Sequence, residues 1–124
     1  MKPLRILVVD DERVICDACH LVLTEEGYRV EEYTSGKAGL NAIRQGVYDL
    51  VLLDMKLPDI DGMEILKVTR KEKPDLGVIV MTGYSTLSNA VEALKLGATN
   101  YLSKPFTDEE LISALKQATN IKSR

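Results

Sequence analysis

Residues 5–10 read Arg-Ile-Leu-Val-Val-Asp, an uninterrupted aliphatic run closed by an acid. A strand covered by helices on both faces carries this pattern, because neither face meets water, and such strands belong to parallel sheets. Residues 48–54, Tyr-Asp-Leu-Val-Leu-Leu-Asp, and residues 76–82, Leu-Gly-Val-Ile-Val-Met-Thr, repeat the theme. Residues 99–103 are a shorter version, and residues 28–33 alternate as an edge strand does.

Helical periodicity fills the gaps. In residues 12–26 the polar Arg13, Asp17, His20 and Thr24 recur at helical spacing and predict one solvent stripe on an otherwise apolar helix. A second helix is predicted over 36–45, stopping at Gly46, and a third over 62–73, before Pro74. A fourth, 86–96, sets Leu87, Ala90, Val91 and Leu94 on one face and ends at Gly97. The fifth, 108–119, uses Leu111, Ile112, Leu115 and Ala118, with Thr107 or Asp108 as its cap. The order βαβαβαβαβα predicts an α/β, doubly wound parallel sheet with right-handed crossovers and helices on both faces. No repeat, low-complexity stretch or internal linker interrupts it, so the 124 residues are expected to fold as one domain.

Composition narrows the functions open to such a sheet. Apolar residues make up 45% and aromatics only 5%, so the core must be aliphatic. Sixteen basic against nineteen acidic side chains leave a net charge of −3, which argues against a broad electrostatic grip on nucleic acid. No apolar run approaches the roughly 20 residues of a membrane span, and no signal peptide opens the chain; a cytoplasmic location is expected. Cys16 and Cys19 form a Cys-x-x-Cys, but Asp10, Asp11 and Glu12 just upstream oppose a thiolate, and two small core residues are the simpler reading. His20, the single histidine, falls on the solvent stripe, so a zinc site or a Ser-His-Asp hydrolase would lack parts.

Ligands of doubly wound sheets bind at the carboxyl ends of the strands, near the point where strand order reverses. The first strand ends in Asp10-Asp11-Glu12, the third in Asp54, the fourth in Thr82-Gly83 and the fifth in Ser103-Lys104-Pro105-Phe106. If the first, third and fourth strands are neighbours, carboxylates, a hydroxyl and an ammonium meet on one edge. Carboxylates so placed repel one another and call for a counter-charge. Magnesium answers with octahedral oxygen coordination that leaves positions open for phosphate oxygens; calcium is possible on ligand type, but an open site suits it less. Helix capping accounts for one of the three acids, not all three. Asp54 follows Leu-Val-Leu-Leu, where an acid is costly unless paired, metal-bound or reactive. Lys104-Pro105 is a step that can hold a cis bond and aim the ammonium back at the edge, or simply a surface lysine before a turn proline.

Together Asp10-Asp11, Asp54, Thr82, Tyr101 and Lys104-Pro105 closely resemble the receiver domain of two-component response regulators. Leu53-Asp54-Met55-Lys56-Leu57-Pro58 with Asp61-Gly62, then Met81-Thr82-Gly83 and Ser103-Lys104-Pro105-Phe106, match the surroundings as well, and the likeness covers about residues 4–120 of a domain spanning 1–124. The resemblance implies a flavodoxin-like (βα)5 fold with strand order 2-1-3-4-5. It also implies that Asp54 is the phosphoacceptor for a phosphohistidine on a sensor kinase or histidine phosphotransferase. Asp11, Asp54 and the backbone carbonyl of Lys56 would ligate Mg2+, and Asp10 would assist through water. Thr82 and Lys104 would contact phosphoryl oxygens, and Pro105 would be a cis-proline.

Such a domain promotes its own phosphorylation and dephosphorylation without being a turnover enzyme. In its switch Thr82 moves toward the phosphoryl group and Tyr101 turns into the vacated space, although Tyr101 also reads as an ordinary edge-strand aromatic. The output face would be the fourth helix, fifth strand and fifth helix, a face open to homodimer formation. Lys56 and Tyr84, two residues beyond Asp54 and Thr82, flank the path of attacking water and are expected to prolong the phosphoryl group's life.

Three rivals stand against this reading. A haloacid-dehalogenase-type phosphatase resembles Asp-x-Asp at the first strand end, where this chain has adjacent Asp10 and Asp11 followed by Glu12. Flavodoxin proper would carry a Thr/Ser-rich phosphate loop there. A phosphorylation-independent interaction module need not keep Asp54, Lys104, Thr82 and the acid pair. As to output, Met81-Thr82-Gly83-Tyr84-Ser85 with Ala90-Val91-Glu92-Ala93 and Gly97-Ala98 resembles receivers preceding an ATPase transcription activator, which implies a further C-terminal effector part. Leu53-Asp54-Met55-Lys56 with Tyr84 is similar instead to stand-alone phosphorelay receivers, which pass the group to another histidine.

Overall fold

The computed structural model describes residues 2–83 and 87–122. Strands and helices alternate as β1 (Arg5–Val9), α1 (Arg13–Glu25), β2 (Arg29–Tyr33), α2 (Gly36–Gln45), β3 (Leu50–Asp54), α3 (Gly62–Glu72), β4 (Gly77–Gly83), α4 (Leu87–Lys95), β5 (Asn100–Lys104) and α5 (Asp108–Lys122). All neighbouring strands are parallel, in the order 2-1-3-4-5. The expected flavodoxin-like sheet is therefore present, with β1, β3 and β4 side by side.

Side chains alternate across each strand, so one aliphatic run feeds two cores. Ile6, Val8, Leu50, Leu52, Ile79 and Met81 meet Cys16, Cys19 and Leu23 of α1 and Leu111, Leu115 and Ala118 of α5. Leu7, Val9, Val51, Leu53, Val78 and Val80 meet Leu40 and Ile43 of α2, Ile65 and Leu66 of α3 and Ala93 of α4. Each fully buried aliphatic side chain contributes roughly 1.5–3 kcal/mol, which holds the strand ends rigid beneath whatever they carry.

Three expectations change. The solvent stripe of α1 is wider than predicted: Val14 and Leu21 are 76% and 61% exposed, because α1 packs only through the Cys16, Cys19 and Leu23 side of its circumference. On α4 the expected apolar face divides, with Ala90 and Ala93 buried and Val91 and Leu94 open to solvent; small residues make the contact with the sheet. The helix α5 continues to Lys122, three residues past the expected end. Its cap is Thr107, whose hydroxyl accepts from Glu110 N (3.1 Å) while Glu110 Oε1 accepts from Thr107 N (2.9 Å), a reciprocal capping box. Thr86, the expected start of α4, lies outside the described residues.

Candidate functional site

At the carboxyl edge the chain leaves the aliphatic layer at Asp10, Asp54, Thr82 and Lys104, and the sheet order brings their strands together. Asp10 is completely buried and Asp54 is 5% exposed, while Asp11 and Glu12 face solvent. The Lys104 ammonium lies 2.6 Å from Asp10 Oδ2, 3.2 Å from Glu12 Oε1 and 3.4 Å from Asp54 Oδ2. The peptide bond between Lys104 and Pro105 is cis, as expected.

The two buried acids are fixed from their own backbones. Asp10 Oδ1 accepts from Glu12 N at 2.9 Å, and Asp54 Oδ1 accepts from Lys56 N at 3.2 Å. At Gly62, where α3 begins, a Cβ would stand 2.6 Å from Met55 Cα and 2.7 Å from Asp54 O; glycine permits the helix start to press against the backbone carrying Asp54. Asp61 caps α3 by accepting from Met63 N at 3.0 Å.

Charge is unbalanced here. One ammonium faces two buried carboxylates, with Asp11 and Glu12 adding negative charge at the rim. Burial, and then the charge of Asp10, push the Asp54 carboxyl up to about 6, against the opposing pull of Lys104. Burial likewise raises Asp10 above the ordinary carboxylate range, despite Lys104 and the Glu12 amide. Burial opposes the Lys104 charge, but contact with Asp10 and the field of Asp54 outweigh it and keep the ammonium protonated. Asp10 Oδ2 faces the Lys104 ammonium at 2.6 Å, an ion pair that the ammonium shares with Glu12 and Asp54.

One carboxylate oxygen from each of Asp10, Asp11 and Asp54 lies within 4.8 Å of the others. An all-oxygen donor set with surplus negative charge suits a hard divalent cation. These three residues could bind Mg2+.

Other expected residues fall where the fold puts them. Thr82 is buried on β4, one residue past the Asp54–Met81 pairing, and so stands beside the acid edge. Tyr101 pairs with Val80, three residues before Lys104 on the edge strand, and its ring is exposed. Lys56 is exposed, two residues beyond Asp54; Tyr84 lies outside the described residues. Cys16 and Cys19 are free and buried, and burial pushes their thiols up to about 11 and about 12, so neither has thiolate character. The Cys16 thiol donates to the Asp10 carbonyl at 3.2 Å, tying α1 to the site's backbone. His20 is on the surface, with Nδ1 2.8 Å from Glu32 Oε2. Sequence pattern did not single out Asp59 in the β3–α3 connection, whose carboxylate accepts from Gly36 N and Lys37 N at the start of α2: it is a charged residue in a polar stretch, where pattern carries little information.

A doubly wound parallel sheet with buried acids at the ends of β1 and β3 and a lysine on a cis-proline step after β5 defines a class of small α/β domains with a cation-seeking edge. The response regulator receiver domain family matches residues 6–116, and the chain belongs to that family, whose members are signalling domains. Transcriptional regulatory protein QseB of Haemophilus influenzae is 37% identical over 113 residues, which are 91% of this chain and 51% of that protein. Transcriptional regulatory protein ZraR of Klebsiella oxytoca is 42% identical over 113 residues, again 91% of this chain but 26% of that protein. The crystal structure of a CheY-like receiver domain protein from Methanospirillum hungatei superposes with a TM-score of 0.92 at 36% identity, covering 98% of this chain and 97% of that one. The chain thus spans about half of one curated relative and about a quarter of the other. Among the described residues no helix is long and apolar enough to cross a membrane.

Proposed function

We propose that residues 1–124 form one cytoplasmic receiver domain in which Asp54 accepts a phosphoryl group from a phosphohistidine of a sensor kinase or histidine phosphotransferase. The observation that carries this reading is Asp54 itself: an acid at the end of a fully buried strand, with an ammonium 3.4 Å away and two further carboxylates within reach of a shared cation. In the transfer an Asp54 oxygen bonds to phosphorus as the phosphorus–nitrogen bond breaks, and the imidazole nitrogen keeps that electron pair. Such a transition state spreads charge over the phosphoryl oxygens, so alignment and cationic stabilisation are what the protein supplies. Bound by Asp11, Asp54 and the Lys56 carbonyl, with Asp10 assisting through water, Mg2+ would neutralise part of that charge.

Lys104 and Thr82 contact the phosphoryl oxygens, and Thr82 with Tyr101 forms the switch that remodels the face made by α4, β5 and α5. Exposed Val91, Leu94 and Tyr101 give that face apolar ground for a partner or a second copy. Exposed Val14 and Leu21 do the same for α1, whose first turn follows the site and so lies where a phosphodonor must approach. Lys56 and Tyr84 flank the path of attacking water and prolong the modified state. Because two relatives are transcriptional regulators matched over only part of their length, the output we favour is transcriptional, through an effector part beyond this domain.

The test is intact mass after incubation with Mg2+ and a small acyl phosphate. A gain of one phosphoryl group, absent from Asp54→Asn and from samples with chelator, is expected. An unmodified mass, or modification that persists in Asp54→Asn, would overturn the assignment.

A further inference from the structure

The segment linking Asp54 to α3 carries the Lys56 carbonyl, yet it is made of Lys56-Leu57-Pro58-Asp59-Ile60-Asp61, mostly outside the aliphatic core. Something must hold it, and the contacts lead to a helix on which no site residue sits. The Asp59 carboxylate accepts from Gly36 N at 2.9 Å through Oδ1, and from Lys37 N at 2.9 Å and Ser35 Oγ at 3.0 Å through Oδ2. With Ser35 Oγ accepting from Ala38 N and Ser35 O from Gly39 N, every amide of the first turn of α2 has a partner. Two of those partners come from a residue more than twenty positions downstream.

A second observation comes from packing. A Cβ at Gly36 would stand 2.3 Å from Ile60 Cγ2, 2.9 Å from Asp59 Oδ1 and 3.1 Å from Leu57 Cδ1. The segment therefore lies directly against the start of α2 and would have to move if residue 36 carried a side chain. Its other end is anchored at Asp54 by the Lys56 amide and at α3 by the Asp61 cap. Held at three points, the short arc has little freedom left. The hydrogen bonds of the Lys37 and Gly36 amides and the Ser35 hydroxyl also hold the Asp59 carboxyl down at about 2, so it stays ionised in its cap at any ordinary pH.

We infer that Asp59 is a positioning residue for the phosphoacceptor site: by clamping the β3–α3 segment to the N-terminus of α2, it fixes the place of the Lys56 carbonyl and thereby the site's affinity for a divalent cation. This rests on the reading of Asp54, Asp11 and Lys56 as the cation's ligands. Asp59 touches neither cation nor phosphoryl group; it acts through the backbone it holds. Groups that orient metal ligands from outside typically change affinity about 10- to 100-fold when removed, and a backbone clamp five residues from the nearest ligand carboxylate, Asp54, belongs at the lower end.

The experiment is calorimetric titration of Mg2+ alone into the intact chain, paired with amide hydrogen exchange of residues 56–61 without metal. Asp59→Ala should weaken Mg2+ about tenfold and speed exchange across the segment, and Asp59→Asn, which keeps one acceptor oxygen, should fall between it and wild type. Gly36→Ala approaches from the other side. It adds a helix-favouring residue to α2 but pushes on Leu57, Asp59 and Ile60, and should also weaken Mg2+. Ile43→Val, which loosens the packing of α2 without touching the segment, should lower the melting temperature and leave Mg2+ affinity alone. Wild-type affinity in both Asp59→Ala and Gly36→Ala would overturn the positioning role while leaving the cation site intact. No binding by wild type would overturn the cation site and the inference with it.

Discussion

Both ends of the sheet carry charged side chains and treat them in opposite ways. At the amino end, Arg5 on β1 donates from its backbone to Asp49 Oδ2 (2.8 Å) and from its guanidinium to Glu31 Oε2 (3.0 Å), and it lies 5.2 Å over the Tyr48 ring. The Tyr48 hydroxyl donates to the other Glu31 oxygen at 2.8 Å. That group is half-exposed and internally matched, and the Tyr48 hydroxyl followed by Arg5 holds the Glu31 carboxyl below its ordinary value. At the carboxyl end Asp10 and Asp54 are buried with one ammonium between them, and both carboxyls move up. One cluster contributes to holding the sheet; the other is an incompletely neutralised set of acids whose surplus negative charge a divalent cation could balance. Opposite pKa directions on the same sheet distinguish a matched set of charges from an unmatched one.

Removing the Lys104 ammonium tests that contrast most severely. Lys104→Met leaves Asp10 and Asp54 buried without their shared counter-charge, and breaking such a contact typically costs about 3–5 kcal/mol. Urea unfolding in chelator should show a loss of that order, partly recovered on adding Mg2+, together with loss of phosphorylation by acyl phosphate. Stability equal to wild type in chelator would mean that the acids do not depend on Lys104.

Neutralising an acid should do the reverse. The folded-state carboxyl of Asp54 sits at about 6 against an ordinary 3.8, so its ionisation opposes folding as pH rises between these values. Asp54→Asn should therefore stabilise the metal-free protein at pH 7 by about 1–3 kcal/mol. The gain should vanish below about pH 4, where wild type is protonated in both states, and shrink in Mg2+ if, as proposed, Asp54 is one of the cation's ligands. Thermal melts in chelator across that pH range would check both arms; destabilisation at pH 7 would show that the Lys104 contact outweighs the burial cost.

Sequence pattern was a good guide wherever burial dictates residue type. Aliphatic runs at 5–10, 48–54 and 76–82 placed three central strands, and because parallel strands end together on one edge, their terminal residues named Asp10, Asp54 and Thr82 as neighbours. Pattern failed where exposure is set by how closely a helix approaches the sheet. Val91 and Leu94 share a helical face with Ala90 in sequence, yet Ala90 and Ala93 make the contact and leave the larger side chains outside. It failed also for Asp59, since an aspartate in a polar connection reads as solvated until the fold brings the first turn of α2 beneath it. Strand ends alone brought the Lys104 ammonium to the acid edge, whereas the proposed switch role of Tyr101 came from family resemblance and not from spacing or composition.

The mildest probe belongs at the amino end. Glu31→Gln removes the charge facing Arg5 but keeps an oxygen for the Tyr48 hydroxyl, and exposed pairs of this kind are worth roughly 0–1 kcal/mol. Because the folded-state carboxyl lies below its ordinary 4.5, the stability that Glu31 adds is present above that value and fades as pH falls through it. Glu31→Gln should thus cost a few tenths of a kcal/mol at pH 7 and low salt, less in high salt, and progressively less as pH falls below 4.5. The dependence runs opposite to that of Asp54→Asn, whose neutral side chain helps where the acid is ionised. Mg2+ affinity should not change, because the rigid strands between the two ends transmit no charge and little strain. A Glu31→Gln variant that altered Mg2+ binding, or gained stability at pH 7, would break the division between the two ends of the sheet.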